Sequence, residues 1–278
     1  MSGDKTVPTN WVTYHREGHI AFITLNRPEK RNALSMAVWS ALDQAVDQAD
    51  QDQEARVILL RGAGPSFSAG LDLSPENELL SVVGQPPSAV QKATFFRLVR
   101  EAQDIHTRLE KLTKPTVAVI QNHCLGAGLE LVLCCDILLC SAETIFALPE
   151  VKLGFVTDLG GLQRLARLVG RARAREISFR GHRFTAERAL AIGLVNEVYP
   201  DPETLQVKAM EMAEEIAANP PLAVQGSKEV FLFDEASKTL DESLEYNAAR
   251  SSMIVPSDDL SEAISAYLEK RPGQFKGT

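Results

Sequence analysis

Short apolar runs separated by helical patterns constrain this chain more than any other feature. Ile20 to Leu25 and Arg56 to Arg61 (RVILLR) are rich in β-forming residues, bounded by polar residues or glycine, and flank a helical pattern from Ser35 to Asp50. That is a strand, helix, strand unit. A second unit follows, in which a helix around Phe95 to Leu112 leads through Pro115 into TVAVI at 116 to 120, then a glycine-containing turn and another helix. ILLC at 137 to 140 and Thr144 to Ala147 read as further strands. This alternation predicts an α/β fold with largely parallel strands buried on both faces.

After Gly161 the strand signal nearly disappears. Helical patterns cover Arg173 to Arg180, Thr185 to Ala191, Pro202 to Ala218, Pro221 to Phe231, Leu240 to Met253 and Ser257 to Lys270. Ser257, followed by two aspartates, is placed to cap the last of these, and Asn219-Pro220-Pro221 marks a break between helices. The expected organisation is a core of roughly 200 residues (1–200) and a helical C-terminal region (201–278). The only loop-like composition is Leu80 to Ala89.

Composition bounds the function. A formal charge of -8 argues against a nucleic-acid partner, which usually meets a basic face. The most apolar stretch, Leu129 to Cys140, is broken by Glu130 and Asp136, so no membrane span is expected. Cys124, Cys134, Cys135 and Cys140 lack paired C-x-x-C spacing and read as buried thiols of a reducing, cytoplasmic setting rather than metal ligands. The first dozen residues show no signal-peptide pattern.

Two turns stand out, each following a strand and leading toward a helix: Ser66 to Leu73 (SFSAGLDL) and Cys124 to Glu130 (CLGAGLE). Small residues there let a ligand approach the backbone, and free N–H groups at a helix start suit an oxyanion. The second turn lacks the G-x-G-x-x-G spacing of a dinucleotide site. Three acids, Glu130, Glu150 and Asp158, sit in apolar settings (LGAGLELVL, GFVTDLGG). Carboxylates are costly to bury unless used or paired. Local sequence leaves both functional roles and helix capping or a surface position open for them. No histidine, serine or cysteine stands in a nucleophilic constellation, and neither a metal nor a redox cofactor is implied.

From about Trp11 to Lys276 the sequence resembles the crotonase, or enoyl-CoA hydratase/isomerase, superfamily. The resemblance is carried by LNRPEKRNALS at 25 to 35, FSAGLDL at 67 to 73, HCLGAGLELVLCCDI at 123 to 137, FALPEVKLGFVTDLGGLQRLARLVG at 146 to 170 and AERALAIGLVNEV at 186 to 198. It implies a ββα spiral core, an acyl-CoA thioester substrate whose coenzyme A is part of the substrate, no separate cofactor, and a homotrimer or dimer of trimers. By position it puts the oxyanion hole on the backbone N–H groups of Leu71 and Ala127. It puts the CoA contacts on Arg27, Lys30, Arg31, Ala33, Ala69, Gly70, Asp72, Leu73 and Gly128, with Lys30 or Arg31 meeting phosphates.

Glu130 and Glu150 match the two acids with which family hydratases hold and activate water, while Asp158 stands where those hydratases usually carry glycine. The branch resembling Δ3,5-Δ2,4-dienoyl-CoA isomerase has acids at all three positions, with aspartate at that of Asp158. It differs in having aspartate where this chain has Glu130. The resemblance therefore favours a dienoyl-CoA isomerase of fatty acid β-oxidation, with trans-2-enoyl-CoA hydratase as the alternative and a noncatalytic acyl-CoA- or RNA-binding relative as a minor one.

Overall fold

The computed structural model describes residues 10–80 and 88–278. The chain opens with an antiparallel pair, β1 (Val12–Glu17) and β2 (Ile20–Leu25), followed by α1 (Met36–Gln51), β3 (Val57–Gly62), α2 (Ala89–Glu110) and β4 (Thr116–Ile120). Next come β5 (His123–Leu125), α3 (Ala127–Val132), β6 (Ile137–Ser141), β7 (Ile145–Ala147), α4 (Gly161–Val169) and α5 (Arg171–Arg180). β8 (Phe184–Thr185), α6 (Ala186–Ala191) and β9 (Glu197–Tyr199) lead to four long helices: α7 (Pro202–Ala217), α8 (Pro221–Ala236), α9 (Leu240–Met253) and α10 (Asp258–Glu269).

The main sheet runs β1-β2-β3-β4-β6-β9 and is parallel from β2 onward. Its strands are apolar at successive positions because both faces are covered. Ile23, Leu25, Ile58, Leu60, Ala118, Ile120 and Leu138 pack with α1 and α2 in one cluster. Their neighbours Phe22, Val57, Leu59, Val117, Val119 and Leu139 pack on the other face with Leu205, Ala209 and Ala213 of α7. The period-two alternation of a strand thus divides one apolar run between two cores. A small second sheet, β5-β7-β8, stands beside the first and carries the Cys124 turn.

The early strands and the long helices lie where the sequence places them, and Ser257 caps α10 by accepting from Leu260 N at 3.1 Å. Three differences are instructive. β7 matches the strand expected at Thr144 to Ala147, but β1, β5, β8 and β9 lie outside the strands the sequence announces; all of these but β1 have two or three residues and are held by pairing to neighbours rather than by their own pattern. α4 was passed over, although Leu165 and Val169, four apart, are its buried stripe. α2 starts at Ala89 rather than near Phe95, because Ser88 and Gln91 form a capping box. Of the Leu80 to Ala89 loop, residues 81–87 lie outside those described.

Candidate active site

The two glycine turns lie side by side. Ser68 N donates to His123 O (2.8 Å) and Leu125 N to Ser68 O (3.1 Å), a parallel bridge between segments far apart in sequence. Gly70 sits at the contact with φ +91°, where a Cβ would stand 2.6 Å from the Leu125 carbonyl oxygen. Gly128 packs against Ser68 in the same seam. Next to Gly70, the bridge between Leu34 and Leu71 uses the Gly70 carbonyl and the Asp72 amide, each at 2.8 Å, and so leaves the Leu71 N–H unused. Ala127 is the first residue of α3, where an N–H has no partner within the helix. Neither amide donates to another described residue, and both residues line one cavity of about 160 Å³.

The same cavity takes in Glu130, Glu150 and Asp158, with Trp39, Phe95, Val99, Phe155 and Val156 among its apolar walls. α3 carries Glu130 inward from the turn, and the residue is 1% exposed. Its Oε2 accepts from Leu159 N (2.9 Å) and Gly161 N (2.8 Å). Gly161 lacks a side chain for a reason of space: a Cβ would meet Glu130 Cγ at 2.6 Å. Burial pushes the Glu130 carboxyl up to about 8, with the charges of Glu150 and Asp158 adding to the rise and the two amides opposing it. Glu150 opens a short 3-10 turn after β7, and its carboxylate lies against Gly126, which adopts φ +50° and where a Cβ would fall 2.5 Å from Oε1. Thr157 Oγ1 donates to Glu150 Oε2 at 3.1 Å. Burial raises the Glu150 carboxyl above the ordinary range, the Thr157 hydroxyl opposes this, and Asp158 adds to it. Burial likewise raises Asp158. The apolar local sequence had suggested burial for these acids; their convergence on one cavity comes from the fold.

The residues expected on the CoA side divide. Lys30 and Arg31 are exposed on the turn after β2, and the Arg31 carbonyl accepts from Ala69 N at 2.9 Å, so that turn borders the Leu71 segment. Leu73, 57% exposed, lies at the cavity's edge. Arg27 and Asp72 are buried and pair with each other at 3.1 Å; Arg27 also donates to the buried Ala33's carbonyl (3.0 Å) and lies over the Trp11 ring. Their charges are spent on holding the loop. The sequence reading missed Asn32, which is buried at φ +52° and ties that loop together through Arg27 N, Ala63 O and Ser66 O. It also missed Thr157, the hydroxyl one residue before Asp158.

A larger depression of about 540 Å³ opens near Asp136, Arg167 and Phe231. It presents neither the three acids nor the unused amides, so the chemistry singles out the smaller cavity.

The enoyl-CoA hydratase/isomerase family model matches residues 15–278. The chain belongs to that family. It is 35% identical over 257 residues to the mitochondrial Δ(3,5)-Δ(2,4)-dienoyl-CoA isomerase of Rattus norvegicus, covering 91% of this chain and 77% of the relative. It is 34% identical over 263 residues to the short-chain-enoyl-CoA hydratase of Clostridium acetobutylicum, covering 94% and 96%. The solved enoyl-CoA hydratase of Bacillus anthracis superposes with a TM-score of 0.87 at 31% identity, covering 96% of this chain and all of that one. The fold is therefore the crotonase α/β fold expected from the sequence, and the protein is an enzyme of this family. Among the described residues no helix is long and apolar enough to cross a membrane.

Proposed function

We propose that this enzyme converts 3,5-dienoyl-CoA to 2,4-dienoyl-CoA through a thioester dienolate. The observation that carries the proposal is Asp158, a third acid in a cavity where water addition needs only two. Glu150, ionised, takes a proton from C2. The electron pair runs to the thioester oxygen, which the Leu71 and Ala127 amides hold as an oxyanion in a largely apolar site. Conjugation carries that density along the C3=C4 and C5=C6 bonds to C6, where Asp158 delivers its proton as the double bonds re-form at C2=C3 and C4=C5. One proton leaves C2 and one arrives at C6, so the atoms balance; Glu150 and Asp158 then exchange protons with solvent for the next turnover. Asp158 can act as the acid because burial favours its neutral form. Glu130, pinned by two amides, stays close to the other acids and tunes their charge. The exposed Lys30 and Arg31 are placed to meet the CoA phosphates.

Support from relatives runs both ways, since isomerases and hydratases are both similar to this chain. Glu130, where the isomerase branch usually has aspartate, favours the second reading: hydration of a trans-2-enoyl-CoA with water held between Glu130 and Glu150. One experiment separates them. Wild type and Asp158→Asn are offered a 3,5-dienoyl-CoA and a trans-2-enoyl-CoA, following appearance of the conjugated diene and loss of the enoyl absorbance. The proposal expects diene isomerisation that collapses in Asp158→Asn with acyl-CoA affinity retained. Brisk hydration, no isomerisation and indifference to Asp158→Asn would establish the hydratase instead. The free cysteines, three of them buried, support a reducing compartment such as the cytoplasm.

A further inference from the structure

The turn that presents Asp158 and supplies both amides to Glu130 is fastened from outside the cavity. Arg164, on the first turn of α4, donates through Nε and Nη2 to the two oxygens of Glu110 on α2, at 2.8 and 2.7 Å. Its Nη1 lies 3.3 Å from the Leu159 carbonyl, and its Nη2 lies 3.4 Å from Thr107 Oγ1, also on α2. Gly160 takes φ +97°, and a Cβ there would stand on the Arg164 guanidinium. One turn further toward the start of α2, Gln103 donates through Nε2 to the Asp158 carbonyl. Neither Arg164 nor Glu110 lines the acid-bearing cavity.

We propose that the Arg164–Glu110 pair, with Gln103, is a positioning brace: it ties residues 158–161 to α2 and thereby fixes the two amides on Glu130 and the reach of Asp158. This rests on the reading of those acids as the working groups of the site. The fork is suited to the task. A guanidinium binds a carboxylate through two parallel N–H groups and has a further N–H left for a carbonyl; an ammonium has three donors but all on one nitrogen, so it cannot make the parallel fork. Loosening the turn lengthens the Leu159 and Gly161 contacts to Glu130, and losing donors to a carboxylate favours its protonated form. The groups facing Glu130 are Glu150 and Asp158 from the following segments, Cys134 just after α3, and Arg164 from α4; behind Arg164 stand Glu110 and the buried His106 of α2.

The test uses Arg164→Lys, which keeps a charge opposite Glu110 but not the fork, and the pair Arg164→Met with Glu110→Leu, which removes both charges so that neither is left buried alone. Two readouts are taken: steady-state kinetics on whichever of diene isomerisation or hydration the wild type performs, and a carbon-13 carboxyl titration of Glu130, assigned with Glu130→Gln, which needs no turnover. The brace predicts kcat lower by roughly tenfold to a hundredfold with KM within about threefold, and a Glu130 titration displaced to higher pH, in both variants. The double variant recovers melting temperature without recovering either readout. Wild-type titration and kcat in Arg164→Lys, or a double variant whose kcat returns along with its stability, would reduce the pair to a structural contact and overturn the proposal. A wild type that hydrates but does not isomerise would refute the isomerase assignment and leave this test standing.

Discussion

Replacing Glu130 by glutamine should make the protein more stable at alkaline pH, although it alters a residue of the working site. Glu130 is 1% exposed, and burial, with Glu150 and Asp158 close by, carries its carboxyl from 4.5 to about 8 against the pull of two backbone amides. A raised folded-state pKa means that between these values the folded chain holds a proton that the unfolded chain has released. Stability is therefore whole below about pH 4.5 and is lost as pH rises toward 8. A rise of that size, at about 1.36 kcal/mol per unit, caps the loss at about 5 kcal/mol, a large share of a typical domain's 5–15 kcal/mol. Glutamine is neutral throughout, and its carbonyl oxygen can still accept from Leu159 and Gly161. Urea unfolding at fixed protein concentration, at pH 5 and pH 8.5, measures the difference between wild type and Glu130→Gln. That difference should move toward the variant by several kcal/mol between the two pH values. A difference that is constant across this range would refute the buried, proton-holding Glu130 on which the reasoning depends.

Other expectations bear on the chemistry and the assembly. Glu150→Gln should lose about 10² to 10⁴ in turnover on every active substrate while keeping its circular dichroism and CoA affinity, and near-full activity would contradict a base at C2. In a complex with an acyl-CoA, the thioester oxygen should accept from Leu71 N and Ala127 N at about 2.7 to 3.1 Å, and an oxygen gripped by side chains would remove the enolate step. The C-terminal helices leave Phe231, Met253, Tyr267 and Leu268 at least 70% exposed, so light scattering at micromolar concentration should give a trimer or a dimer of trimers; a monomer would contradict this.

What the sequence revealed and what it hid follow from the reach of each interaction. RVILLR, TVAVI and ILLC announce strands covered on both sides because successive interior positions along them are apolar, and the structure divides those apolar residues between two clusters. β5, β8 and β9 have two or three residues each, too few for a period, and exist because a neighbouring strand offers hydrogen bonds; only β7 of the second sheet is announced, at Thr144 to Ala147. Charge is harder still to read. Arg27 is expected among the CoA contacts, yet its guanidinium pairs with Asp72, 45 residues on, and nothing in either local sequence says that the two meet.

The acids show the same division between local and distant causes. LGAGLELVL and GFVTDLGG mark Glu130 and Asp158 as unusual because an apolar neighbourhood predicts burial, and burial alone forces a carboxylate to find donors, hold a proton or be used. Which of these applies depends on groups from other segments. Glu130 finds its donors in Leu159 and Gly161, 29 and 31 residues away, and it fits there only because position 161 has no Cβ. The paired glycines of GFVTDLGG therefore do separate work: Gly160 yields to the Arg164 guanidinium and Gly161 yields to the Glu130 side chain. A turn shaped by these two side chains keeps the three acids together in one small cavity, and their repulsion is relieved by proton retention, since burial raises all three carboxyls and Glu130 reaches about 8.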